Sequence, residues 1–318
     1  MGKEWVTADT LIYGWACSVK NIKGTEDMWI SSMKGMRAAA QGLALAALLT
    51  TPALAQDADH PQNEKLKIAC DLGFAPFCFK KTSGEITGFT YDFAEAIAKK
   101  LGRPGIDVTD SNFSAIFAGL FSKRYEMIPA PTNITTERAA QMLFSEPYMP
   151  TGMGFLVKKG GKIANLEELK GKEITVNNGS ISDKWLTDNQ AKYGYSIQRY
   201  NKNADAVQAV MIGRAFANVA DAPVSRYVST QVPNTNVAFV LDSGRHFGIA
   251  FRKEDTAFRA KVEEAVECLK TDGTLAKIHE KWFGVAPEEG SSTAKVYPGT
   301  GAPDFEGYDV TERKTSCQ

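Results

Sequence analysis

The chain has 318 residues, with 37 Lys and Arg against 37 Asp and Glu and no basic stretch interleaved with aromatics, which argues against nucleic-acid binding. Five cysteines are too few for a disulfide-built scaffold. No segment beyond residue 55 approaches a membrane span in length and apolarity.

Residues 38–55 form a run of small and apolar side chains behind Lys34 and Arg37, ending in Ala53-Leu54-Ala55 before Gln56. A basic n-region, an apolar stretch over residues 43–49, the breaker Pro52 and small residues at the cleavage site together read as a secretory signal peptide over residues 33–55. The expected location is the periplasm. Residues 1–32 precede two credible starts, Met33 and Met36, show no clear period and scatter Trp5, Trp15 and Trp29. They are expected to be a non-native extension from an over-extended reading frame, absent from the exported product.

From residue 66 strand and helix alternate. Leu66-Lys67-Ile68-Ala69-Cys70 is a short strand, and residues 91–101 are helical with Phe93, Ile97 and Leu101 on one face. Residues 114–121 repeat the theme. Glu126-Met127-Ile128-Pro129 is a second strand, and Thr135 can cap a helix with Glu137 in its first turn. A new unit begins near Gly154, with strands at residues 173–176, 216–220 and 237–241 and helices near 182–189 and 204–212. A strand at 246–251 and two terminal helices follow. The alternation predicts α/β architecture with mostly parallel sheets flanked by helices. From Pro287 the chain is rich in Gly, Pro, Ser and Thr without periodicity, so residues 286–318 are expected to be a flexible tail. Cys70 and Cys78 flank a loop and either pair in an oxidising compartment or serve as small buried hydrophobes.

Several motifs, in order, carry a resemblance. Asp71-Leu72-Gly73-Phe74-Ala75-Pro76-Phe77 is followed by Gly84-Glu85-Ile86-Thr87-Gly88-Phe89, then Asn133-Ile134-Thr135-Thr136-Glu137-Arg138 and Phe144-Ser145-Glu146-Pro147-Tyr148. Asn178-Gly179-Ser180, Asp221-Ala222-Pro223-Val224 and the terminal Lys281-Trp282-Phe283-Gly284 complete the set. Together they resemble the polar amino-acid-binding proteins of bacterial ABC importers (solute-binding protein family 3). The resemblance implies a two-lobed periplasmic-binding-protein fold with two hinge strands. Residues 66–154 and 242–285 would form a discontinuous first lobe, and residues 155–241 the second. It also implies a monomer that hands its ligand to an inner-membrane ABC permease, without cofactor or metal.

The same resemblance assigns a site. Arg138 matches the arginine that clamps a ligand α-carboxylate, for which a planar guanidinium offers two parallel hydrogen bonds. Asp221 matches the acid that pairs with the α-ammonium. Asn133 can offer an amide, and Ser180 stands at a strand-to-helix turn where free N–H groups favour an anionic oxygen. Phe74 and Phe113 match the aromatic pair that sandwiches the ligand side chain, and Asp71 the group that meets its distal end, where it either recognises a cation or is a loop carboxylate satisfied locally. Pro131 and Ile181 depart from the pattern by removing a backbone donor and a hydroxyl. A standard amino acid remains favoured, with an opine or an ectoine-like compound admitted. The rival reading is an exported dehydratase resembling cyclohexadienyl dehydratases, which needs a general acid over the ligand. A third is a ligand sensor for a separate membrane receptor. His60, His246 and His279 fall in no catalytic or metal-ligand spacing, so no enzymatic role is expected.

Overall fold

The computed structural model describes residues 59–312 and 314–317. The expected signal peptide and the extension before it lie outside the described residues.

The first part of the described chain runs β1 (Leu66–Cys70), β2 (Gly73–Phe74), β3 (Cys78–Lys80), β4 (Ile86–Thr87), α1 (Phe89–Lys100), β5 (Ile106–Asp110), α2 (Phe113–Phe121) and β6 (Ile128–Asn133). β1 and β5 pair in parallel, Leu66 against Ile106 through Cys70 against Asp110, the arrangement a helical crossover permits. β2, β3 and β4 make a small antiparallel ribbon. Phe89, Phe93, Ala94, Ile97 and Ala98 line the buried face of α1. Asp92 in its first turn and Lys99 and Lys100 in its last complement the helix dipole. β6 starts two residues later than the expected strand and continues to Asn133. It ends the strand order of its sheet, where Pro129 and Pro131 can lack an N–H without breaking a ladder on both sides.

After α3 (Thr136–Ala139) and β7 (Leu143–Phe144), β8 (Met149–Lys158) leads into β9 (Glu173–Asn177), α4 (Ile181–Tyr193), β10 (Ser196–Tyr200), α5 (Asn203–Met211), β11 (Ala217–Asp221) and α6 (Ala222–Gln231). β10, β9 and β11 are parallel neighbours, and β8 joins β11 antiparallel. The second lobe is therefore mixed. Its core gathers Phe155, Leu169, Ile174, Val176, Leu186 and Val219. The first lobe centres a further cluster on Phe89, Phe93, Ile97, Phe247, Val262 and Val266, which also takes in Ala220 and Val224 from β11 and α6, and holds another around Ile116, Leu120, Tyr125 and Ile128. Each such side chain contributes roughly 1.5–3 kcal/mol on leaving water, so each lobe has its own reason to fold.

The chain returns through β12 (Thr235–Phe251), then α7 (Thr256–Thr271) and α8 (Thr274–Phe283). The two strands expected at 237–241 and 246–251 are one strand of 17 residues. Its ladder with β8 shifts register between Asp242 and Arg245, where Gly244 takes a positive φ of 59°. Gly244 marks a bulge within one continuous strand. β12 pairs with β8 from Thr235 to Phe247 and with β6 and β7 from Phe247 to Phe251. β8 and β12 thus form the two strands that cross between the lobes.

The expectation of a flexible tail is corrected. Residues 287–312 and 314–317 lie as a strap over α7. The Tyr297 N–H donates to Glu146 Oε2 at 2.7 Å, the Gly301 N–H to Glu263 Oε1 at 2.5 Å and Arg259 Nη1 to the Gly307 carbonyl at 2.6 Å. Ser292 and Thr293 are buried, and a disulfide joins Cys268 to Cys317. A segment without periodicity makes no element of its own, but it can take its hydrogen bonds from a helix already in place. Cys70 and Cys78 are also paired, which resolves the alternatives left open by the sequence and ties the end of β1 to the start of β3.

Candidate ligand-binding cleft

Strand ends and helix starts from both lobes meet at the cleft, where open α/β sheets offer their free backbone groups. Asp221 is the last residue of β11 and precedes Pro223 in the first turn of α6. Its Oδ1 accepts from Asn133 Nδ2 at 3.0 Å and from the Thr151 hydroxyl at 3.2 Å. Burial pushes the Asp221 carboxyl up to about 6, against the pull of those two donors and of the Arg138 charge. Asn133 closes β6, and its Oδ1 is buried without a hydrogen-bond partner. One amide therefore spends its donor on Asp221 and leaves an acceptor beside it.

Arg138 sits in the single turn of α3, where the Thr135 hydroxyl oxygen accepts the Arg138 N–H at 3.3 Å. Its Nη1 donates to the Asn133 carbonyl at 2.9 Å. The guanidinium lies over Phe113 at 5.5 Å and over Phe117 at 5.2 Å, a cation–π arrangement that orients it. The residue keeps a partly exposed face, yet protein surrounds enough of the guanidinium for burial to pull its pKa down to about 10, against the charges of Asp221 and Glu137. Among the described residues it forms no ion pair.

Cys70, Asp71, Phe74, Cys78, Phe113, Ala130 and Pro131 from the first lobe line one cavity with Asn177 from the second. The space left is about 10 Å³, roughly room for one water, so the cleft is closed. Phe74 is held by a tight loop in which its N–H donates to the Asp71 carbonyl at 3.2 Å and its carbonyl accepts from the Phe77 N–H at 2.9 Å. The disulfide closes the base of that loop. Asp71 is buried, and its Oδ1 accepts from the Gly73 N–H and from Lys202 Nζ, both at 2.9 Å. Burial raises the Asp71 carboxyl, and both donors oppose the rise.

Ser180 has a second task. It is the N-cap of α4, its hydroxyl oxygen accepting the Asp183 N–H at 3.1 Å, while Asp183 Oδ2 accepts the Gly179 N–H at 3.0 Å. The cap uses a lone pair and leaves the Ser180 O–H free to donate. Gly179 has a φ of 76°, and a Cβ there would lie 3.2 Å from the Ser114 Cα across the cleft.

The structure thus links Asn133, Arg138 and Asp221 directly, gathers Asp71, Phe74 and Phe113 around one cavity, and sets Ser180 beside the lobe contact. Sequence reasoning missed Thr151, Asn177, Lys202 and Phe117. Only Phe117 had a local signal, four residues after Phe113 on the same helix. The carboxylates of Glu146, Glu263 and Glu267 group within 4.8 Å elsewhere, but Lys270 lies 2.7 Å from Glu146 and is also buried. A larger groove of about 760 Å³ runs between α6 and α8. Its ionisable lining includes His279, which bonds the Val285 carbonyl, and Lys281, which pairs with Asp92.

Two lobes, two crossing strands and a charged closed cleft define the architecture of a solute-binding protein. The model for bacterial extracellular solute-binding proteins, family 3, matches residues 66–285, and the chain belongs to that family. It is 30% identical over 260 residues to the L-cystine-binding protein TcyJ of Escherichia coli (strain K12), covering 78% of this chain and 96% of the relative. A solved structure of an ancestral arginine-binding protein bound to arginine is 35% identical with a TM-score of 0.67, covering 70% of this chain and 100% of that one. The ancestral amino acid-binding protein AncCDT-1, a precursor of cyclohexadienyl dehydratase, is 31% identical with a TM-score of 0.65, covering 73% and 99%. The family and two-lobed fold expected from the ordered motifs both hold.

Proposed function

We propose that the protein captures an amino acid or amino-acid derivative in the interlobe cleft and delivers it to an ABC permease. The observation that carries this reading is the pairing of opposites left open at one end of the cleft. Arg138 forms no ion pair among the described residues, while the Asn133 Oδ1 acceptor stands beside the Asp221 carboxylate. An α-amino acid brings the complementary set, a carboxylate for Arg138 and an ammonium for Asp221 and Asn133. Ser180 adds a hydroxyl donor for the carboxylate, Phe74 and Phe113 flank the side chain, and Asp71 meets its far end.

Ligand contacts from both lobes would stabilise the closed state, which the permease would recognise. In this reading residues 66–154 and 242–285 form one lobe and residues 155–241 the other; the core around Phe155 and Val219 supports the second, and the core around Phe89 and Phe247 reaches Ala220 and Val224 where the lobes meet. The protein would work as a periplasmic monomer after cleavage of its signal peptide, and would not be an enzyme.

A dehydratase would need a proton donor over the ligand, and Asp221, with its raised pKa, is the group that could hold one. Its two hydrogen-bond donors favour the ionised, accepting form instead. A thermal-shift panel on protein unfolded and refolded to strip ligand should find stabilisation by amino acids, about 2.7 kcal/mol at a hundredfold excess over Kd. Turnover of prephenate or arogenate would contradict the binder reading.

A further inference from the structure

The cavity lined by Asp71 carries an interaction absent from the sequence reading. Lys202 belongs to the second lobe, at the N-cap of α5. Asn177 fixes the loop before it by donating its Nδ2 to the Tyr200 and Asn201 carbonyls at 3.4 and 3.1 Å. From there Lys202 Nζ reaches two carboxylates of the first lobe, Asp71 Oδ1 at 2.9 Å and Asp110 Oδ1 at 2.6 Å. Asp110 Oδ1 also accepts the Leu72 N–H at 3.1 Å. The backbones are close as well: a Cβ on Gly73 would lie 3.3 Å from the Lys202 Cβ. Asp71 Oδ2, by contrast, is buried without a hydrogen-bond partner, and Asp71 lines the cavity.

We propose that Lys202 is a specificity-determining residue, which supplies the cation at Asp71 from the protein itself and so selects an uncharged ligand side chain ending in an N–H or O–H donor. The inference rests on the amino-acid reading of the cleft. A ligand guanidinium or ammonium at Asp71 would have to lie beside the Lys202 ammonium or expel it from two carboxylates. Like charge at short range beside the buried Asp71 carboxylate is a device for rejecting a competitor. A neutral amide or hydroxyl meets no such opposition, and the free Asp71 Oδ2 can accept its hydrogen. Lys202 also joins the lobes, so the contact that sets specificity forms as the cleft closes.

Calorimetric titration of the ligand-stripped protein with glutamine, asparagine, serine, threonine, arginine and lysine tests this, beside Lys202→Met and Lys202→Arg. Wild type should prefer the neutral donors. Lys202→Met should move the preference toward arginine or lysine by about tenfold or more, because Asp71 loses its internal cation. Lys202→Arg, which keeps the charge, should leave the neutral preference in place. Melting curves without ligand check that each variant folds. Wild-type preference for arginine or lysine, or a ratio unmoved by Lys202→Met, would overturn the inference while leaving the amino-acid site intact. Binding of no amino acid by any of the proteins would overturn the reading of the cleft, and this inference with it.

Discussion

Two of the regions that bury charge differ in whether the protein completes the pairing. Beneath the C-terminal strap, Lys270 and Glu146 are fully buried 2.7 Å apart. Lys270 Nζ further donates to the Pro147 and Lys295 carbonyls at 2.7 and 2.8 Å. Burial pulls Lys270 down and Glu146 up, and their pairing opposes both shifts. In the cleft, Arg138 has a carbonyl and two aromatic faces but no carboxylate in an ion pair among the described residues. Completed networks hold a fold together; a charge whose pairing stays incomplete fits a visitor.

The comparison is broken most severely at the strap. Lys270→Ala leaves Glu146 buried without its cation and should cost about 3–5 kcal/mol of stability, read in denaturant titration, with ligand affinity almost unchanged in the molecules that remain folded. Arg138→Ala should do the reverse. Affinity should fall by about 2–5 kcal/mol if the guanidinium pairs with a desolvated ligand carboxylate, while ligand-free stability changes little. Cys317→Ser should lower stability by about 2–4 kcal/mol, since it releases the strap from α7. The measured melting temperature should drop without a shift in ligand preference.

Smaller effects follow from pH. The ligand ammonium requires ionised Asp221, whose carboxyl is held near 6 by burial before binding. Affinity should therefore be flat above that value and weaken as pH falls through it, by up to about tenfold per unit. Asp221→Asn should bind weakly at every pH and lose the slope. His60 sharpens the other side of the contrast. Burial pulls it down, but hydrogen bonds with Asp255 and Glu126 outweigh that and leave its pKa raised. Its pairing contributes stability that is present below the unfolded value of about 6.5 and lost as pH rises through the folded one. Melts between pH 6 and 9 should show the loss, and His60→Ala should flatten it.

Much of the fold was legible because helix and strand periods are local. The α1 face, the Thr135 cap and the parallel alternation follow from side-chain spacing alone. What spacing could not supply was partnership over distance. Residues 237–241 and 246–251 looked like two strands, since nothing local says that β8 continues alongside β12 on both sides of the Gly244 bulge. The strap looked mobile because its hydrogen bonds lie on α7 and its disulfide closes 49 residues back. Within the cleft, Arg138, Asp221 and Asn133 were recognisable because each sits in a motif. Lys202 carries no motif, and its importance comes from two carboxylates 131 and 92 residues earlier. Ser180 was read as a ligand group from its turn, but the same turn makes it a helix cap.

The most direct test of the central claim is isothermal calorimetry of ligand-stripped wild type and Arg138→Ala with the tightest-binding amino acid from the thermal-shift panel. The account predicts one site per chain in wild type, and at least about a thirtyfold weaker Kd in the variant, with an unchanged ligand-free melting temperature. Equal affinity in the two proteins would remove Arg138 from the site and contradict the account.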